Sequence, residues 1–285
     1  MKKLQFLSIF ALSAILLSGC ANSKLLQEVE TLALVSVRYN QQISTITKAK
    51  FNSAKTSELK EEGDVITAGA AISKLNKLTG NKSQLLNSAN DFFKAVSGKE
   101  KEFFDSMTQK LIKRVDASPI TIIPATRFAT NTLYLNPSNN KLNNRFDDLK
   151  FYTPEPYVYQ DLKTKKLRVK PDDLEDGKNK AIALTKELNV DAVASFEFQF
   201  FKVTSKKLFL IPAKQIGAIG TLVVRNKDGK MIFNKNIQVI SDKAINLIDM
   251  PVFVIDEKSE KQFRQVEELF FSKLDSLITR ALTKK

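Results

Sequence analysis

The chain has 285 residues, a formal charge of +14, a single cysteine and no histidine. The lack of histidine excludes an imidazole base, a histidine-containing triad and a histidine-ligated metal. One cysteine excludes an internal disulfide and a multi-thiolate zinc site. Catalysis would have to rest on carboxylates, lysine, tyrosine or a serine–lysine pair, and no motif points to such a centre. A non-enzymatic protein without metal or cofactor is therefore expected.

The N-terminus reads as an export leader. Lys2 and Lys3 precede an apolar stretch from Leu4 to Leu17, interrupted by Gln5, Ser8 and Ser13, and small residues then lead into Cys20. A charged head, a short apolar body and a small-residue exit make a secretory signal, too short to remain as a membrane-spanning helix. Leu17-Ser18-Gly19-Cys20 resembles the lipobox of bacterial lipoproteins. The resemblance implies cleavage before Cys20, a diacylglyceryl thioether on its sulfur and an amide-linked third chain. Each buried CH₂ of such chains contributes about 0.8 kcal/mol to anchoring. Ala21, where many inner-membrane lipoproteins have Asp, implies the periplasmic face of an outer membrane. In a Gram-positive cell it would be the outer face of the plasma membrane. The rival reading, a buried thiol in an N-terminal helix, explains neither the position of Cys20 nor the charged head.

Loss of residues 1–19, with their two lysines and no acids, leaves 266 residues and a charge of +12. That charge could attract anionic lipid, lipopolysaccharide, an acidic glycan or an acidic protein face. The basic residues are dispersed, so a lysine-rich solvated surface is the plainer reading. Nucleic acid is not expected as a partner beyond the membrane.

Residues 20–30 are expected to form a lipidated tether, and 31–285 a single α/β domain. "TLALVSVRYN", 31–40, reads as a strand. Residues 41–98 are rich in Ser, Thr, Lys, Asn and Ala, and are expected to form a helical insertion. "KEKEFFDSMTQKLIKRV", 99–115, places Phe103, Phe104, Met107, Leu111, Ile112 and Val115 on one helical face. "PITIIPATRFA", 119–129, reads as a strand, with Pro124 marking an edge or bulge. Residues 130–160 read as loop. Asp176 can cap a helix carrying Ala181, Ile182, Leu184 and Leu188. A strand with period-two alternation follows from Ala192, with Phe196, Phe198 and Phe200 on one face. "IGAIGTLVVRNKDGKMIFNKNIQVIS", 216–241, predicts a hairpin around Asp228-Gly229. A helix over about 258–282 closes the chain, with Phe263, Val266, Phe270, Leu274, Leu277 and Ile278 in its stripe.

The expected fold class is α/β (α+β): a small mixed sheet flanked by helices, with a long C-terminal helix. "LALVSV", "AIALTKELNVDAVASFEF" and "VVRNKDGKMIF" before a final helix carry a further resemblance. Their order resembles the α/β domain shared by curli-secretion lipoproteins, the amino-terminal domain of TolB and the outer-membrane lipoprotein activators of penicillin-binding proteins. The 41–98 stretch stands outside that pattern, and no membrane-hairpin pattern points to a pore.

Four local constellations have two readings each. "KPDDLEDGKNK", 170–180, has a calcium-loop look through Asp172, Asp176 and Gly177, but Leu174 and Ala183 occupy two ligand positions; a helix cap explains it better. "YTPEPYVYQ" sets Tyr152, Tyr157 and Tyr159 around two prolines, which suits either partner binding or packing over the domain edge. The apolar run Pro251 to Ile255 suits a partner contact or a lid on the core. Ser205 and Lys206 are adjacent, so on a strand they would face opposite ways, against a catalytic pair. The expected role is a lipid-anchored envelope adaptor or assembly factor that binds an envelope protein or anionic polymer. The alternative is a ligand- or lipid-binding lipoprotein with an apolar pocket under the 41–98 stretch.

Overall fold

The computed structural model describes residues 24–47, 98–135, 151–163, 176–204, 214–242, 244, 255 and 257–283. Their strands are β1 (Thr31–Thr47), β2 (Thr121–Ile123), β3 (Phe151–Tyr152), β4 (Ala192–Thr204), β5 (Lys214–Asn226) and β6 (Met231–Ile240). Besides a single helical turn at 24–27, their helices are α1 (Gly98–Asp116), α2 (Thr132–Leu135), α3 (Gly177–Leu188) and α4 (Glu257–Thr283). The sheet is mixed, in the order β2-β1-β4-β5-β6, with β3 added to β1. β1 runs parallel to β2 and β4, while β5 and β6 are antiparallel additions. The expected α/β class with a long final helix is what the chain adopts.

Local chemistry sets the boundaries. Asp176 caps α3, its Oδ1 accepting from the N–H groups of Lys178 at 2.9 Å and Asn179 at 3.3 Å. Asn189 ends that helix in the left-handed region (φ 52°), which Asn tolerates better than most residues. Only Val190 and Asp191 separate it from β4. Gly229, at φ 71°, makes the β5–β6 turn where a side chain would be strained. Pro124 limits β2 to three residues at the sheet edge, and a 3₁₀ turn follows at Ala125–Arg127.

One face of the sheet carries the aromatic core. Tyr39, Phe196, Phe198 and Phe200 line it, and α1 and α4 lie over it. Tyr39 stacks on Phe104 at 4.6 Å, Phe200 meets Phe263 at 4.9 Å, and Phe198 meets Phe270 at 5.0 Å. All seven rings are buried; Phe196 and Phe198 alone contribute roughly 3–6 kcal/mol by leaving water. Gly220 permits the close approach, since a Cβ there would meet the Phe270 ring at 2.6 Å. The two helices run side by side in the same sense. Phe103 of α1 and Phe263 of α4 both meet Phe200, near the end of β4. Further along, Lys110 and Arg114 reach Glu268 and Asp275. α3 and the 153–163 segment cover the other face.

Several expectations are corrected. The stretch 24–30, read as tether, belongs to the body: Leu26 and Val29 are only 4% and 5% exposed. β1 does not stop at Asn40 but pairs with β4 through Thr47↔Thr204, so the first seven residues of the supposed insertion are strand. The rest of that insertion, 48–97, lies outside the described residues. The strand expected over 119–129 shrinks to β2, and the 130–160 loop contains α2 and β3. Ile182, placed in the α3 stripe, is 36% exposed, whereas Ala181 and Leu184 are buried. Period two in β4 does not separate core from surface, because both faces of the strand are covered.

Candidate functional site

The tyrosine segment is stitched to the body. Tyr152 stacks on Phe104, and its hydroxyl donates to Asp105 Oδ1 at 2.8 Å. Burial and that carboxylate push its phenol up. Tyr157 is buried, which pushes its hydroxyl up to about 12. Val158 N–H donates to the Tyr134 hydroxyl at 2.9 Å, and that hydroxyl donates in turn to the Val35 carbonyl. Gln160 N–H donates to Ser36 Oγ, and its side-chain amide to the Tyr134 carbonyl. Arg225 Nε donates to the Leu162 carbonyl at 2.6 Å. The three tyrosines therefore pack over the domain, and only the half-exposed sides of Tyr152 and Tyr159 are open to a partner.

Arg38 explains where Tyr159 goes. Its guanidinium lies 3.4 Å from the Phe151 ring centre and 4.1 Å from that of Tyr159. Such a desolvated cation–π sandwich contributes about 2 kcal/mol. Arg38 is register partner of Glu197 on β4, and Glu197 Oε2 pairs with Lys163 Nζ at 2.5 Å. The Glu197 carboxylate, 15% exposed, and the buried Lys163 ammonium satisfy each other's charge on this face of the sheet. The arrangement fastens a coil; it places no nucleophile beside a base. Sequence reasoning passed over Arg38, although a cation inside "LVSVRYN" signals a ring or acid nearby.

The two ends of the sheet differ in kind. At the first end lie the starts of β1, β2 and β4, the β5–β6 turn and the turn at 24–30. Asp191 holds this end together, accepting from Thr31 N–H and Thr31 Oγ1, both at 2.9 Å, and from Glu30 N–H at 3.2 Å. The C-terminal turns of α4 arrive here too, where the Gln27 amide donates to the Leu282 carbonyl at 2.7 Å. At the second end β1 and β4 finish, β5 starts and β6 finishes, and α1 and α4 begin. Glu100 of α1 accepts there from Ile255 N–H at 2.7 Å, just before α4. The connections 48–97, 205–213 and 245–254 thus all leave and return at the second end.

Of the residues singled out by sequence, Asp176 is a helix cap. Cys20, Asp172, Ser205, Lys206 and Pro251 lie outside the described residues. Among the described residues no cluster of acids and thiols could hold a metal, and no helix is long and apolar enough to cross a membrane. Comparison with protein families, with curated proteins and with solved structures finds no match for this chain.

Proposed function

We propose that this protein is a non-enzymatic, lipid-anchored cell-envelope adaptor or assembly factor. A thioether on Cys20 holds it on a membrane, and its α/β body contacts an envelope protein or polymer. Tethering raises the effective concentration of the body beside a partner at the same surface, without any new contact. One observation carries this reading: the anchor side of the chain enters at one end of the sheet, and three long connections emerge at the other. Connections on a rigid frame are where binding residues concentrate. The sewn-down tyrosines supply rigidity between the two ends.

The test is photo-crosslinking in intact cells. Probes replace the exposed residues Lys101, Asp242 and Glu257 at the second end and Asp228 at the first. One discrete adduct is expected from second-end probes, absent from Asp228, and lost in a Cys20→Ala variant that leaves the membrane. Adducts that survive Cys20→Ala, or no adduct from any second-end probe, would refute the adaptor role.

A further inference from the structure

We infer that the first end of the body is held at the bilayer, with the residues 24–30, the last turn of α4 and the β5–β6 turn facing lipid headgroups. This rests on the acylation of Cys20 proposed above. Leu26 is six residues beyond Cys20 and is already buried in the core. Six residues span at most about 20 Å. The turn cannot peel away cheaply to lengthen that reach. Leu26 and Val29 would have to leave the core, Gln27 would lose the Leu282 carbonyl, and Asp191 would lose Thr31 and Glu30. The reach between Cys20 and the core is therefore capped at about 20 Å.

The charge at this end says what does the holding. Exposed Lys24, Lys227, Lys230 and Arg280 are interleaved with exposed Glu28, Glu30 and Asp228. A mixed surface has little net attraction for anionic lipid. Proximity comes from the tether, so it should persist on neutral membranes. The 27 residues of α4 span about 40 Å, which carries the second end well clear of the headgroups. The partner is then one that reaches to within several tens of ångströms of the membrane.

The experiment uses the mature acylated protein in zwitterionic phosphatidylcholine vesicles. A fluorophore is placed on one introduced cysteine at a time: Asp228→Cys and Arg280→Cys at the first end, Lys101→Cys and Glu257→Cys at the second. All four positions are exposed. A nitroxide on the lipid headgroup is the quencher. Quenching at least about twofold stronger at positions 228 and 280 is expected from the separation of the ends. Equal quenching at all four, or stronger quenching at 101 and 257, would overturn the inference. Mass spectrometry of Cys20 and vesicle flotation are read first. A protein that carries no lipid and does not float defeats the anchor reading itself; one that floats without the contrast defeats only this orientation.

Discussion

Asp191 shows how much of the frame hangs on one carboxylate. Partial burial pushes its carboxyl up, but the Thr31 N–H and hydroxyl, the Glu30 N–H and the charge of Lys227 outweigh this, and the net direction is down. A carboxyl held below its unfolded value stabilises the fold fully above about pH 4 and loses that contribution as pH falls through the folded value. Asp191→Asn is expected to cost about 1 kcal/mol at neutral pH, by weakening charge-assisted hydrogen bonds. The gap between wild type and variant should close as pH drops below about 4. Urea titrations at pH 7 and pH 3 check both statements, and a gap that widens in acid would contradict the assignment. At this scale the sequence was readable wherever the partner is a local backbone group. Asp176 and Asp228-Gly229 announce a cap and a turn within a few residues. Arg38, Glu197 and Asp191 find their partners on other elements, and nothing in the surrounding residues named them.

Helix α4 is held to α1 by a graded set of charges. Glu267 is fully buried, 3.0 Å from Lys110 and 3.2 Å from Arg264; Glu268, more than half exposed, also meets Lys110 and Arg114. The hydrogen bond from Lys110 leads the causes that hold the Glu268 carboxyl low. Exposed pairs contribute little, so Glu268→Ala should cost under about 1 kcal/mol. Lys110→Met strips a partner from a buried carboxylate and should cost about 2 kcal/mol or more, part of which is recovered on adding Glu267→Leu. Denaturant midpoints of the three variants test the ordering; equal costs for the two single variants would show that the buried site is not special. Elements with unbroken periodicity, α1, α3, the β5–β6 hairpin and α4, were legible in the sequence. The last seven residues of β1 were not. A register shift between Asn40 and Ser44 breaks its alternation, and its polar "QQISTIT" becomes strand because the far half of β4 offers it a partner. "KLLQEVE" at 24–30 has apolar residues at helical spacing, but a single turn is too short to be told from a tether until the core receives it.

On the scale of the whole molecule, reach is fixed by where the body begins. A twenty-residue Gly/Ser insert between Asn22 and Ser23 adds a coil with a root-mean-square span of about 25 Å. It should leave the denaturation midpoint unchanged, since it precedes every described contact. It should also keep the protein on vesicles while abolishing the difference in headgroup quenching between the two ends. A shift in the midpoint would mean that residues before Lys24 contribute to folding. The α/β class could be read from the order of elements alone. The gathering of three connections at one end of the sheet could not, because it follows from strand direction and from the shared sense of α1 and α4.

The clustering of three connections beyond completed strand pairs has a consequence for ancestry. Every residue of the described ladder, and of the phenylalanine layer beneath it, lies outside those three connections. Change confined to those connections would leave the sequence of that frame untouched, so kinship among descendants of one scaffold would be sought in stretches such as "VDAVASFEF".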